Sequence, residues 1–382
     1  MGDAGEFVLA AMRMKVGTPT GDPSRTCQPL LCTRLTVTCG RSQKMFATER
    51  MSFLMRLCRS NLAGLLVTFA LLAATVASPA ATCTTQAELT SRDRDALAGA
   101  GQRLSAAIVQ QDFSTLQAAL LPAVASQWDG IRNVAEQGAT LVKGGQIQLR
   151  SVYLLDASNA TAAADTQFFC SNSNASVVVT ITMRALPPGK YSVVLADAVG
   201  ASAGGQLGFI LAWDGSAWKL GGVFARPGIL GGHDGVWYWE HARDQVKGGG
   251  WASWYLYEMA RYLLVPVDFL SSPNLEKLGQ EQAQLKSSPA DAFPYSLPDG
   301  PRTWKIISIR VDPSLLQPDL GVTYESTGVT DPAAVRTEAT AMLSALLKAQ
   351  PGLRENFHGL WAYAVNNGKT TPVMELPMAQ IP

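Results

Sequence analysis

The spacing of hydrophobic positions changes once in the first half of the chain, from a helical period to a strand period. Between residues 91 and 112, apolar residues recur every three or four positions, at Leu97, Ala100, Leu104, Ala107 and Ile108. This spacing predicts an amphipathic helix, and similar patterns predict one or two shorter helices before Gly144. Apolar and polar residues alternate between residues 147 and 226, which predicts an antiparallel sheet of at least five strands.

A second alternating region fills the C-terminal part of the chain. Residues 304–311 and 320–324 have the strand period, and a helical pattern then opens at Asp331-Pro332. Two further strands flank the turn sequence Asn366-Asn367-Gly368-Lys369, whose glycine suits a positive φ. The order of these elements predicts a β-β-α-β-β domain.

These patterns place the protein in the α+β class. The predicted architecture is a set of helices with a curved antiparallel sheet, a helical connector and then the β-β-α-β-β domain. We expect five regions: a leader at 1–80, a cone-like α+β domain at 84–229, an aromatic helical connector at 233–285, a linker at 286–301 and the β-β-α-β-β domain at 302–382.

The order of helices and strands in the first domain, with its final hairpin WDGSAWKLGGVFA, resembles the nuclear-transport-factor-2-like (SnoaL-like) superfamily over residues 91–226. The resemblance implies a cone of curved sheet wrapped on helices, with a pocket between them. Members of the superfamily use this pocket for small-molecule binding, for catalysis or as a dimerising core. Its enzymes commonly place His and Asp in the cone, whereas residues 81–232 contain no histidine. This departure puts acid–base catalysis in doubt.

The connector is rich in aromatic residues. Residues 237–262 hold four of the nine Trp and four of the nine Tyr residues. The spacing of Tyr238, Ala242, Trp251 and Pro266 resembles a single tetratricopeptide-type helix pair over residues 237–266. Two interpretations remain open: the rings fill the space between the two domains, or they form a stacking surface for a ligand. The candidate ligand surface comprises Trp237, Trp239, Trp251, Trp254 and Tyr255, together with Asp197 on the apolar face of a predicted strand.

Composition and charge narrow the function classes. The chain of 382 residues is 47% hydrophobic and carries a formal net charge of +1, which excludes a disordered protein and disfavours a nucleic-acid binder. The first 80 residues hold 9 Lys or Arg and 4 Asp or Glu, against 22 and 26 in the rest. Basic residues precede a charge-free apolar run at 62–77, the layout of a signal peptide. The alternative is an uncleaved membrane anchor at 62–81.

Cysteine placement also indicates export to the periplasm or cell surface. Four of the six cysteines lie at or before residue 58, which leaves Cys83 and Cys170 in the remaining chain. We expect these two to form a disulfide, a bond typical of oxidising compartments. The alternatives are a pair of unrelated thiols and a lipid-attachment site at Cys83.

Two groups of residues could carry catalysis instead. Gly200-Ala201-Ser202-Ala203-Gly204 matches a nucleophile elbow, but a strand rather than a helix is predicted to follow Ser202. His233, Asp234, Glu240 and His241 offer four metal ligands within nine residues, although without a helical His-x-x-x-His pair. The third histidine, His358, precedes a strand and is expected to be packed or exposed rather than catalytic.

The sequence therefore favours an exported, non-catalytic binding or scaffold protein, without a cofactor or a metal. Its partner would be a small molecule, a glycan or a protein of the cell envelope, not a nucleic acid, and a homodimer is compatible with the pattern. The alternative function is a hydrolase built on Ser202, or a metal-dependent enzyme built on the His233–His241 group.

Overall fold

The computed structural model describes residues 81–382 except residues 249 and 287. The predicted leader, signal peptide and anchor segment lie outside the described residues. Among the described helices, none has both the length and the apolar composition that a membrane span requires. The fold is α+β, as the sequence predicts.

Eight α-helices lie in the described part of the chain: α1 (Ser91–Val109), α2 (Phe113–Ala118), α3 (Trp128–Leu141), α4 (Gly235–Gln245), α5 (Ala252–Leu264), α6 (Pro273–Ala283), α7 (Pro332–Ala349) and α8 (Gly352–Asn356). The first ten strands are β1 (Thr82–Thr85), β2 (Gln146–Asp156), β3 (Ala164–Ser171), β4 (Val177–Leu186), β5 (Lys190–Val199), β6 (Gln206–Trp213), β7 (Trp218–Arg226), β8 (Ile229–Leu230), β9 (His233–Asp234) and β10 (Leu270–Ser271). The C-terminal strands are β11 (Tyr295–Asp299), β12 (Arg302–Asp312), β13 (Asp319–Glu325), β14 (Gly359–Asn366) and β15 (Lys369–Pro377).

The first sheet has the strand order β1-β2-β5-β6-β7 and is antiparallel throughout. Helices α1 and α3 cover one of its faces through close contacts at glycine. A Cβ atom at Gly101 of α1 would lie 2.6 Å from Cγ1 of Val194, so only glycine allows this approach. Leu97, Ile108 and Ile131 are fully buried at the interface. Apolar side chains therefore occupy the space between the helices and the sheet.

The opposite face of the first sheet is also covered. Strands β3, β4 and β10 form a small sheet in the order β10-β4-β3. A disulfide between Cys83 of β1 and Cys170 of β3 links the small sheet to the first sheet, which confirms the predicted pair. The segment that follows α5 also packs here, since Val267 lies against Gly208 of β6. Buried apolar residues thus line both faces of the first sheet.

The aromatic connector forms the helix pair α4 and α5, which pack on each other. The hydroxyl of Ser253 in α5 donates to the carbonyl oxygen of Ala242 in α4 at 2.8 Å. Tyr238, Tyr255, Tyr257 and Trp251 belong to one buried cluster with the C-terminal sheet. Most of the connector's rings therefore fill a core rather than line a surface.

The C-terminal sheet has the order β11-β12-β13-β14-β15, and only β13 and β14 are parallel. Helix α7 connects these two strands and, with α5, covers the face that carries Leu320, Val322 and Tyr324. Strand β11 lies within the segment 286–301, which the sequence predicts as a linker. Its pairing with β12 turns the expected four strands into five.

The two faces of this C-terminal sheet differ in chemistry. Side chains of β12–β15 that alternate with the buried apolar set lie on the outer face, and they are polar or aromatic: Arg310, Asp312, Asp319, Trp361, Tyr363 and Glu375. The candidate functional site is on this face.

Candidate functional site

Three polar side chains meet at one corner of the C-terminal sheet. Asp319 begins β13, and His358 immediately precedes β14. Because these strands are parallel and Asp319 pairs with Gly359, both residues lie at the same edge of the sheet. Glu375 is near the end of the antiparallel strand β15, opposite Trp361, and reaches the same edge. We call Asp319, His358 and Glu375 the acidic corner.

The donor atoms of the acidic corner are close together. The Nδ1 atom of His358 lies 2.9 Å from Oδ1 of Asp319. One ligand atom from each of the three residues lies within 4.8 Å of the others. The Asp319 side chain is 0% exposed, whereas that of His358 is 40% exposed. A buried carboxylate thus holds an imidazole that remains open to solvent.

Several polar atoms of the corner lack a hydrogen bond of ordinary geometry. These buried atoms are Oδ2 of Asp319, Oε1 of Glu375 and Nε1 of Trp361. The Trp361 indole is nevertheless near enough to the Asp319 carboxyl to lower its pKa slightly. Burying a carboxylate without a full set of partners costs free energy, so these oxygens favour a proton or a cation.

The pKa values of both carboxyl groups reflect this environment. Burial raises the pKa of Asp319 above its ordinary value, although the hydrogen bond and charge of His358 oppose the change. Burial also raises the pKa of Glu375, and the negative charge of Asp319 adds to the effect. Two neighbouring carboxylates and one imidazole therefore form a site that disfavours full ionisation in the absence of added positive charge.

A glycine allows the three side chains to approach each other. A Cβ atom at Gly359 would lie 2.7 Å from Oε1 of Glu375 and 3.1 Å from Oδ1 of Asp319. Real Cβ atoms essentially never come as close as the first of these distances. The lack of a side chain at position 359 is thus part of how the corner is built.

A second carboxylate network adjoins the corner on β12. Asp312 pairs with Asp319 across the two strands. Its carboxylate accepts hydrogen bonds from the Tyr363 hydroxyl at 2.6 Å and from the Ser314 hydroxyl at 2.5 Å. Burial, followed by the hydrogen bond to Asp312, raises the pKa of Tyr363 to about 12. Asp312 is therefore satisfied within the protein, unlike Asp319.

The acidic corner supports two kinds of chemistry. Two carboxylates and an imidazole are a common ligand set for divalent transition-metal ions. The buried Asp319 could alternatively orient His358 for proton transfer, as in catalytic dyads. In the part of the chain that the structure describes, however, no hydroxyl or thiol group forms a hydrogen bond with His358.

The structure separates the four ligands of the His233–His241 group. The Trp237 indole is stacked on both imidazoles, with ring-centroid distances of 3.7 Å to His233 and 4.7 Å to His241. Asp234 instead caps α4, because its Oδ1 accepts from the Trp237 backbone N–H at 2.8 Å. Glu240 is exposed, and His241 contacts Oδ1 of Asn356 at 2.8 Å. The only donor cluster of metal-site size in the described residues is the acidic corner.

The aromatic candidates divide into core and surface residues. Trp251 and Tyr255 are buried, and Trp251 packs against Phe293 and Tyr295. Trp239 is half-buried; its Nε1 donates to Glu281 at 2.8 Å while Arg243 covers its ring. Trp254 is half-buried as well, so Trp237 is the one exposed ring of the candidate ligand surface.

Asp197 and Ser202 occupy separate positions in the first domain. Asp197 is partly exposed and forms an ion pair with Arg150 at 3.2 Å. Burial raises the pKa of Asp197, and the charge of Arg150 opposes this effect. Ser202 is exposed in the turn between β5 and β6, and a strand follows it, as expected. Among the described residues, none offers Ser202 a hydrogen-bonded base.

Comparison with family models, curated proteins and solved structures gives no significant match to the chain. The resemblance to the nuclear-transport-factor-2-like superfamily therefore stays a prediction.

Sequence reasoning missed Asp319 and Glu375. The available signal was that Glu375 is the one acidic residue in an otherwise uncharged strand pattern after Thr370, and that Asp319 directly precedes an apolar strand. These features do not show that the two residues meet.

Proposed function

We propose that this protein is an exported, non-catalytic binding protein that holds one divalent transition-metal ion at the acidic corner. The observation that carries the proposal is the fully buried Asp319 carboxylate beside the second carboxylate, Glu375. One oxygen of Asp319 lies on His358, and the other has no hydrogen bond of ordinary geometry.

Charge balance supports a cation at this position. A protonated imidazole would neutralise only one of the two carboxylates, and both have a pKa raised first by burial. A divalent ion would supply the second positive charge and satisfy the unpartnered oxygens. Two ligands of one such ion are at most about 4.2 Å apart, given bonds of about 2.1 Å. Small side-chain rotations would therefore bring all three donors, now within 4.8 Å, onto one ion.

The donor types indicate which ions are favoured. One imidazole nitrogen with two carboxylates suits Zn²⁺, Mn²⁺ or Fe²⁺ better than Ca²⁺ or Mg²⁺, which prefer sites made of oxygen alone. The half-exposed His358 leaves a path for the ion from solvent. It also leaves room for a water molecule or a partner's donor group on the ion.

Export is supported by two independent features. The basic residues and apolar run before residue 80 have the layout of a secretion signal. The Cys83–Cys170 disulfide is a bond that persists in oxidising compartments. Periplasmic or cell-surface localisation is the proposal consistent with both.

Mn²⁺ binding followed by electron paramagnetic resonance tests the metal site. Mn²⁺ is the appropriate probe because Cys27, Cys32, Cys39 and Cys58 of the full chain could bind zinc on their own. After chelator treatment and dialysis, each chain should bind one equivalent of Mn²⁺, which is measured as a loss of the signal of free Mn²⁺. Asp319→Asn and His358→Ala should each weaken the binding at least tenfold.

His241→Ala is the matched control, since His241 is another half-buried histidine that contacts a side-chain oxygen. This variant should bind Mn²⁺ as the unmodified protein does. Equal Mn²⁺ affinity in His358→Ala and the unmodified protein would contradict the proposal, as would the lack of any binding at millimolar Mn²⁺.

A further inference from the structure

A cavity lies where the first domain, the connector and the C-terminal sheet meet. Its volume is about 480 Å³, within the range typical of small-molecule sites. Arg226 contributes from β7, Arg261 and Tyr262 from α5, and Arg310 from β12. Three cationic side chains from three different elements thus face one cavity.

The three arginines differ in how their charge is compensated. Arg226 is mostly buried, forms an ion pair with Asp268 and donates to the Val265 carbonyl at 3.1 Å. In contrast, neither Arg261 nor Arg310 has a carboxylate within ion-pair distance among the described residues. Arg261 donates to the neutral side chain of Gln282 at 3.2 Å.

Arg310 is held in place by an aromatic ring. Its guanidinium carbon lies 4.6 Å from the ring centroid of Tyr363, whose hydroxyl is fixed by Asp312. Such stacking orients a guanidinium group. The same group also forms a hydrogen bond with the Tyr363 side chain, so its remaining N–H donors are the ones that can bind an anion. Arg310 is also exposed, so a ligand can reach it from solvent.

The remaining wall of the cavity is largely apolar. Aliphatic side chains line it together with the ring of Tyr262, namely Val265, Leu270, Leu275 and Val311. Two acids, Glu258 and Asp268, are also present and would repel a ligand with more than one negative charge. The cavity therefore combines a surplus of one positive charge with an apolar surface.

We propose that this cavity binds a small organic monocarboxylate with an apolar body. The carboxylate lies between Arg261 and Arg310, whose planar donor groups match its two oxygens. The apolar body lies against the aliphatic wall. This site is separate from the acidic corner, and neither site needs the other to be occupied.

Isothermal titration calorimetry with octanoate tests the proposal on the full chain. Octanoate should bind with a stoichiometry of one, whereas octylammonium, with the same chain and the opposite charge, should not bind. Inorganic phosphate should bind at least tenfold more weakly than octanoate, since it has no apolar body. These three ligands test the class of ligand without any substitution.

Two substitutions then test the position of the site. Arg310→Leu and Arg261→Leu should each weaken octanoate binding at least tenfold. Arg302→Leu is the matched control, because Arg302 lies on the same strand and also covers an aromatic ring, that of Trp304, outside the cavity. It should change the affinity less than twofold.

Three results would overturn the proposal: no octanoate binding to the unmodified protein at millimolar concentration, phosphate binding as tight as octanoate, or unchanged affinity in Arg310→Leu. Circular dichroism of each variant shows whether it is folded. If both cavity variants unfold, the unmodified protein still tests the proposal: binding of octanoate but not of octylammonium supports it, and equal binding of the two contradicts it.

Discussion

The first sheet and the C-terminal sheet have five strands each but differ in what covers their second face. Helices α1 and α3 cover one face of the first sheet, and the small sheet and the segment after α5 cover the other. The C-terminal sheet has helices on one face and polar and aromatic side chains on the other. Two covered faces select apolar side chains on both, whereas a face left without a second layer can hold charged groups.

The difference in how the two sheets are covered matches the location of the two proposed binding sites. The resemblance to a ligand-binding cone directs attention to the first domain, where buried apolar side chains fill the interface between helices and sheet. The acidic corner lies in the C-terminal sheet, whereas the arginine-lined cavity is lined by β7 of the first sheet, by α5 and by β12 of the C-terminal sheet. Both proposed sites thus include residues of the C-terminal sheet, whose outer face has no second layer.

The largest expected effect concerns the covalent link in the first domain. Replacing Cys83 and Cys170 with serine should lower the free energy of unfolding by about 4 kcal/mol, because the bond closes a long loop in the unfolded chain. The residues are 87 positions apart. Denaturant unfolding measures the loss, and hydrogen exchange should show it first in β3 and β1. Equally accelerated hydrogen exchange in β12–β14 would mean that the disulfide stabilises both sheets to the same extent.

The next effect separates core from surface in the connector. Trp251→Ala should cost about 3 kcal/mol, since it removes a buried ring, whereas Trp237→Ala should cost less than about 1 kcal/mol. Trp251 is 7% exposed and Trp237 is 37% exposed. Urea unfolding of both variants checks the prediction. Similar losses would mean that the stacked imidazoles make Trp237 a core residue too.

A smaller effect tests the close contact between α1 and the first sheet. Gly101→Ala should lower the free energy of unfolding by about 1–2 kcal/mol, because the new methyl group meets Val194. Gly99→Ala, on the same helix, meets only the end of Arg103 and should stabilise the protein by about 0.5–1 kcal/mol. Thermal unfolding of the two variants shows whether each one is less or more stable than the unmodified protein. Stabilisation in both variants would show that the helix can shift away from the sheet.

The smallest effect compares one acidic residue from each sheet, the fully buried Asp319 and the partly exposed Asp197. Burial raises the pKa of both Asp319 and Asp197, so the folded state disfavours their ionised forms. Each carboxyl group therefore lowers the free energy of unfolding. This loss is absent below the unfolded pKa of about 3.9 and grows as pH rises towards the folded pKa. Replacement by asparagine removes this loss. The stability of each variant relative to the unmodified protein should thus improve between pH 4 and pH 7.

The improvement should be larger for Asp319→Asn, on the order of 1 kcal/mol, because one of its buried oxygens has no partner. Asp197 is partly exposed and is paired with Arg150, which is charged throughout this range. Chelator-treated protein is required, so that bound metal does not obscure the effect at Asp319. An opposite trend with pH in Asp319→Asn would mean that the folded protein stabilises the ionised carboxylate, for example through His358, more than burial destabilises it.

Much of the fold was predictable because the signals are local. The alternating period found β2 and β4–β7, and turn residues placed the hairpins at Gly215 and Gly368, both with positive φ. Strands β1, β3 and β11 were missed. Strands β1 and β11 have only four and five residues, and the polar start of β3 breaks the alternating pattern. The aromatic connector showed the reverse case: a conspicuous cluster in sequence became mostly core.

Sequence alone determined the α+β class and the positions of most strands and helices, because periodicity and turn chemistry act over short stretches of chain. It also predicted the Cys83–Cys170 pair, because only two cysteines follow residue 58. Only the tertiary structure decided that Asp319, His358 and Glu375 share one corner and that Arg226, Arg261 and Arg310 share one cavity. Those groupings depend on strand order, on parallel pairing across α7 and on the face each side chain takes. A strand shifted by one residue would turn the side chains that lie on strands, Asp319, Glu375, Arg226 and Arg310, to the opposite face.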